Sequence, residues 1–368
     1  DYVDLFHAEL APAYRPEDMY LGTRLGALGA LDAGITCVLD FSHNTRSPGY
    51  SDAVVRAWKD SGMRGVIASA APMAGEWDHA WLADLGRVRA EHLADDGGLV
   101  TLRLGVLAGA IDGIAGELLI STESIEKARE LGIAVSVDGT FGPRSGERML
   151  ELEAAGVLGP DITWIHCTAI GDEAWRVIAD SGGAVALAMT SDQQLAIGDS
   201  VGPIQKCLDF GIEPSLSVDV ECALTTDLFA QMQAALNTQR MLAGRRRFEG
   251  DAEAPEPISV RSVLEYATAG GAKANGVWDR CGSITPGKEA DLVLLRANDV
   301  NNFPLNNAVA TVVLGADARN VDTVLVAGRP RKWGGDLVDV DLADLRSRVL
   351  ASRDRMFAEI GYDLDVVA

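Results

Sequence analysis

The chain has 368 residues, 48% apolar and 23% charged, a balance that excludes a disordered or fibrous protein and suits one large domain or two ordinary ones. Lysine and arginine number 32 against 54 acidic residues, a formal charge of −22 that speaks against nucleic-acid binding through a general basic surface and against adhesion to anionic membranes. Five scattered cysteines (Cys37, Cys167, Cys207, Cys222 and Cys281) without a CxxC pair exclude a disulfide framework and point to a reducing, cytoplasmic setting.

Seven short β-branched apolar runs follow one another along the chain. They are Thr36–Phe41, Arg64–Ala70, Val100–Leu107, Ile133–Asp138, Ile162–Cys167, Ala184–Met189 and Ser215–Asp219. Between them lie stretches with apolar residues three and four apart, such as Leu21, Leu25, Leu28 and Leu31, which read as helices. Gly34, Gly62, Gly132, Gly156 and Gly211 stand where such helices should stop. Alternation of this kind predicts parallel β/α units. No GxGxxG follows an early strand, whereas polar residues collect at the strand C-terminal ends: Asp40 and His43, Ser136 and Asp138, His166 and Thr168, Met189 and Thr190, and Asp219. A barrel gathers its chemistry at that end. Seven copies leave either an open doubly wound sheet or a barrel with one unit missing, and the strand-end chemistry favours the barrel: the fold class expected is α/β, a (β/α)8 TIM barrel with one unit missing.

The long helical stretch Leu224–Leu242 carries Leu228, Met232 and Leu236, a stripe that suits either the core or a homodimer contact. Arg245–Pro257 reads as an exposed loop. After residue 280 the texture changes: Gly282–Leu295 reads as a turn followed by an apolar strand and Val321–Arg329 as another, and with Thr311–Leu314 they suggest a small β-layer outside the barrel. Leu342, Leu345, Val349 and Met356 predict a closing amphipathic helix. We expect a barrel unit over residues 1–280 with its first unit missing, a β-sandwich segment over 281–335 and a helix over 336–368. The native amino terminus is expected upstream of Asp1.

Ser283-Ile284-Thr285-Pro286-Gly287-Lys288-Glu289-Ala290-Asp291-Leu292-Val293 resembles the re-entry into the β-sandwich of the amidohydrolase superfamily, and Val321–Arg329 its closing strand. Ala33-Gly34-Ile35-Thr36-Cys37-Val38-Leu39-Asp40 is similar to the second-strand signature of its cytosine deaminase and triazine hydrolase branch. Trp164-Ile165-His166-Cys167 and Ser215-Leu216-Ser217-Val218-Asp219 resemble its sixth and eighth strands. The resemblance implies a metal-dependent hydrolase in which a first-strand His-x-His, a fifth-strand His and an eighth-strand Asp, here Asp219, hold one divalent ion, zinc by expectation. The sixth-strand His, here His166, would contact substrate or stabilise developing charge. The His-x-His strand would lie upstream of Asp1; without it no cofactor is expected. Ser136 occupies the position of the fifth-strand histidine, with Asp138 nearby, and Gly198-Asp199-Ser200 replaces a Gly-His-Gly-like turn.

The residues themselves offer a plain reading beside each role. A carboxylate inside a barrel needs a partner; Asp219 has either a metal and a proton to relay, or a structural arginine. His166 is a charge stabiliser or a hydrogen-bonded core residue. Ser136 is a poor zinc ligand and marks either a two-histidine site or a lost metal. His43, Ser136, Asp138, Met189 and Thr190 are candidate substrate contacts, with a surface position for His43 and simple packing for Met189 and Thr190 as alternatives. His7, His79 and His92 fall in helical or loop regions and are assigned no chemistry. The function expected is an amidohydrolase acting on a C–N or related bond of a small, cyclic substrate. Its alternatives are a metal-independent lyase, dehydratase or cyclase using Asp219 and His166 as acid and base, and a non-catalytic binding protein.

Overall fold

The computed structural model of the chain describes residues 3–364 apart from 79, 95–96, 110–115, 200 and 222–223, so the expectations placed on His79, Ser200 and Cys222 lie outside it. All seven apolar runs form parallel strands: β1 Cys37–Ser42, β2 Arg64–Ser69, β3 Val100–Leu107, β4 Ala134–Phe141, β5 Ile162–Thr168, β6 Ala184–Leu187 and β7 Ser215–Leu216. They pair in sequence order, β1 to β7, in one sheet curled as in a TIM-type barrel. Among the described residues no strand joins β7 back to β1, so these two are edges. Every residue of β2 and β5 is buried, as strands covered on both faces require, whereas β1 is mostly half-buried.

The helices between strands follow local signals. Ser121 accepts a hydrogen bond from the Ser124 amide, opening the helix Thr122–Glu130, and Gly62, at φ 65°, closes the helix Pro48–Ser61 in the left-handed turn expected of it. Leu28 and Leu31 of the helix Pro16–Asp32 pack into the core with Val54, Ala57 and Trp58 of Pro48–Ser61. Met232 and Leu236 of the helix Leu228–Phe248 are likewise buried in this chain's own core, so that stripe is spent internally and lends no support to a subunit contact. Near the strand N-termini, buried Arg103 donates to the carbonyl of Ala274 and, at 2.9 Å, to the hydroxyl of Thr163.

Among the described residues, the carboxyl-terminal part forms a separate four-stranded antiparallel sheet, the small β-layer expected beside the barrel. Its strands are β8 Leu292–Leu295, β9 Val321–Val326, β10 Arg329–Trp333 and β11 Asp336–Leu337, in the order β11-β10-β9-β8. Thr311–Leu314, expected as a strand, is instead helical within Ala308–Gly315. The Asn307 side chain accepts from the Ala310 amide and starts the turn, overriding the β preference of Thr311-Val312-Val313. The helix Leu342–Ile360 closes the described chain. Among the described residues no helix is long and apolar enough to cross a membrane.

Candidate active site

A cavity of about 1460 Å³ occupies the inside of the curled sheet. Consecutive residues of both edges, Thr36–Phe41 and Ser215–Glu221, line it, since among the described residues neither edge has a further strand beside it. Asp40, His43, Asp138, His166 and Asp219 also face it. Three other candidates do not. Ser136 is fully buried deeper in β4, its hydroxyl without a hydrogen-bond partner among the described residues. Met189 is fully buried, and Thr190 accepts from the Gln231 side chain at 2.6 Å.

His166 reaches the cavity by a distortion that simple alternation does not foresee. Thr163 and Ile165 of β5 line the cavity, which would send Trp164 and His166 to the outer face. Trp164 does pack outside, against Gly183. At His166 the backbone turns left-handed, φ 74°, and the β4–β5 register shifts between Val137 and Phe141. The irregularity swings the imidazole inward, a use of bulges and strained φ that recurs at functional sites. His166 therefore does not share the face of Trp164.

The imidazole is held from two sides. Nδ1 lies 2.7 Å from Oδ1 of Asp192, and Nε2 lies 3.1 Å from Oδ1 of Asp138. Burial opposes charge on this ring, yet the two carboxylates together raise its pKa well above the ordinary 6.5 and favour the imidazolium. Burial works against ionised Asp138 too, but His166, His43 and the Gly139 amide outweigh it and hold that carboxyl below its usual range.

Asp219 stands just beyond β7 in a left-handed conformation, φ 65°, its amide donating to the Ser217 hydroxyl. Its Oδ2 accepts the Ser191 hydroxyl, in place of the arginine the plain reading would have required. Burial raises its pKa; His166 and Ser191 pull it down, but Asp138 and Asp192 add to the rise. The site thus sets an imidazole whose charged form two carboxylates favour beside a carboxyl whose ionisation burial disfavours, the pairing that acid–base chemistry uses. Farther along the wall, Trp58 donates to Asp40 at 2.8 Å, and burial still pushes that carboxyl up.

Reading the sequence missed three site residues. Ser191 and Asp192, both fully buried, sit on the short helix Met189–Gln194 directly after β6. Polar side chains at a strand's C-terminal end were their only signal. His7 lines the cavity, its ring 4.5 Å from that of His43. His92, by contrast, lies at the surface, 2.9 Å from Asp52. Burial and neighbouring His43 lower the His7 pKa from 6.5 to about 4. The unfolded chain then binds this proton first, so the stabilisation is present above pH 6.5 and is lost as pH falls through about 4. A His7→Phe variant should flatten the rise in urea midpoint across this window, which carries up to about 3 kcal/mol for this shift; an unchanged slope would refute it.

Zinc takes three or four donor atoms. Among the described residues no group of three His, Cys, Asp or Glu is placed to hold an ion. His166 has both nitrogens on carboxylates, Asp219 carries the Ser191 hydroxyl, and Ser136 lies outside the cavity. By themselves these residues do not fit a metal.

A family model described as the amidohydrolase family matches residues 120–331. A 5'-deoxyadenosine deaminase of Methanothermobacter thermautotrophicus is 28% identical over 330 residues, 86% of this chain and 72% of that protein. A 5-methylthioadenosine/S-adenosylhomocysteine deaminase of Teredinibacter turnerae is 30% identical over 220 residues, 60% of this chain and 47% of that protein. Among solved structures, an adenosine deaminase from Xanthomonas campestris with bound zinc superposes with a TM-score of 0.78 at 22% identity, over 97% of this chain and 80% of that one. An atrazine chlorohydrolase from Arthrobacter aurescens, complexed with zinc, gives 0.73 at 20% identity, over 92% and 77%. These two structural likenesses speak for the fold alone.

Proposed function

The chain belongs to the amidohydrolase family and is a hydrolase, and from that premise we propose that it deaminates a small adenosine-like substrate. Water adds to the ring carbon bearing the exocyclic amine, the C–N bond breaks, and ammonia leaves. Asp219 accepts the proton of the attacking water and returns it to the departing nitrogen, a shuttle suited to a carboxyl whose pKa is raised by burial. The His166 imidazolium, in pairing distance of Asp138, offsets negative charge as it builds at the reacting carbon's substituents. The convergence of Asp219 and His166 on one cavity carries the reading, and the names of the relatives supply the substrate class.

Ammonia release from 5'-deoxyadenosine, 5-methylthioadenosine, S-adenosylhomocysteine and adenosine tests it directly. Turnover of at least one is expected, falling by on the order of 10²-fold or more in His166→Gln. Absence of ammonia from all four with folded protein would overturn the substrate class. A second reading, a metal-independent lyase, dehydratase or cyclase using Asp219 and His166 as acid and base, is supported by the engagement of both His166 nitrogens. Conversion of a small cyclic substrate without ammonia release selects it.

A further inference from the structure

We propose that Asp192 is a positioning residue for this hydrolase: its carboxylate grips His166 at Nδ1 and so fixes the direction in which Nε2 meets the cavity. The residue does not line the cavity and is fully buried, so it acts on substrate only through the imidazole. Oδ1 receives Nδ1–H at 2.7 Å, while Oδ2 is buried with no hydrogen-bond partner among the described residues. Buried carboxylates are costly unless paired, and the cation paired with this one is His166. A carboxylate kept at that cost, against one nitrogen of a ring whose other nitrogen faces Asp138, is a holder of orientation and charge rather than core filling.

The backbone is arranged for the same contact. Asp192 lies on the first turns of Met189–Gln194, where its amide donates to the Ala188 carbonyl at 2.9 Å, fixing the side chain immediately above the end of β6. Its neighbour Ser191 donates to Asp219 from the same turn. One short helix thus steadies both His166 and Asp219, although they come from different strands. Around the imidazole stand Asp138 from β4, Asp192 from this helix and Asp219 beyond β7, with His43 facing Asp138 from the β1 side. Removing Asp192 leaves Asp138 as the one carboxylate hydrogen-bonded to the ring among the described residues.

The inference rests on the hydrolase reading, and its test is chosen to separate the two. Asp192→Asn keeps an acceptor oxygen but removes the charge; Asp192→Ala removes both. In the full chain, kcat for whichever nucleoside is turned over should fall on the order of 10²-fold in the alanine variant, the scale of a misaligned reacting group. The asparagine variant should lie between, with KM within about threefold of the parent in both. Nitrogen-15 spectra of histidine-labelled protein, with His166→Gln to assign the signal, should show both His166 nitrogens protonated at pH 7 in the parent and a neutral tautomer in Asp192→Asn. An unchanged spectrum or an undiminished kcat in Asp192→Asn overturns the proposal. Should Asp192→Ala fail to fold, Asp192→Asn decides alone. If no nucleoside is turned over, the substrate class has failed, and the spectrum still decides whether Asp192 governs His166.

Discussion

Replacing Asp219 by asparagine is expected to lower kcat by on the order of 10²–10⁴-fold, the usual worth of a positioned acid–base group, without destabilising the chain. Asparagine is nearly isosteric, and its carbonyl oxygen still accepts the Ser191 hydroxyl. What it removes is the burden of ionising a carboxyl that burial, Asp138 and Asp192 all push upward. A group with a raised folded pKa contributes stability that is complete below its ordinary value of 3.8 and is lost as pH rises through the folded value. The asparagine variant lacks that loss, so its stability relative to the parent should increase with pH. Steady-state kinetics and urea unfolding at pH 4 and pH 7 measure both halves. A variant that keeps its turnover removes Asp219 from the chemistry, and one that unfolds more readily at pH 7 than at pH 4, relative to the parent, contradicts the electrostatic picture.

How far the sequence could be read depended on whether a feature was set by periodicity or by local irregularity. The seven strands were legible because each is a β-branched run between helical stretches, and the glycine stops marked their approaches; Gly34, Gly132, Gly156 and Gly211 all take positive φ, as Gly62 does. Asp219 and His166 were legible from their place at strand ends. The partners of His166 were not, since Asp192 is joined to it across 26 residues and its inward turn depends on a positive φ and a register shift that alternation cannot encode. Ser136 drew attention by its position in the resemblance, but the side chain that meets His166 from β4 is Asp138, two residues on. Thr311–Leu314 misled for a similar reason: three β-branched residues and a leucine, with an asparagine cap before them and no strand beside them among the described residues, fold as a helix.

The largest effect on stability is expected away from the cavity, where β2 meets the small sheet. The Arg64 side chain, 1% exposed, donates from Nε and Nη2 to the two oxygens of Asp291 at 2.9 Å and from Nη2 to Glu289 at 2.8 Å. Burial would discharge the guanidinium, but its hydrogen bonds to Asp291 and Glu289 more than compensate, and its pKa stays above the ordinary range. The two acids differ sharply in setting. Asp291 is 2% exposed and also accepts the Ala327 amide at 2.8 Å, so it ties β2 to both β8 and the turn after β9. Glu289 is 33% exposed and shares its charge with Arg280. Removing one partner of a buried pair strands the other charge, at about 3–5 kcal/mol, whereas an exposed partner is worth about 0–1 kcal/mol. Asp291→Ala should therefore lower the urea midpoint severely and Glu289→Ala only slightly. Because the cost is an abandoned cation, Arg64→Met combined with Asp291→Leu should recover much of the loss. Equal effects of the two single alanine variants, or a double variant no better than Asp291→Ala, would show that burial of this guanidinium is not what makes Asp291 indispensable.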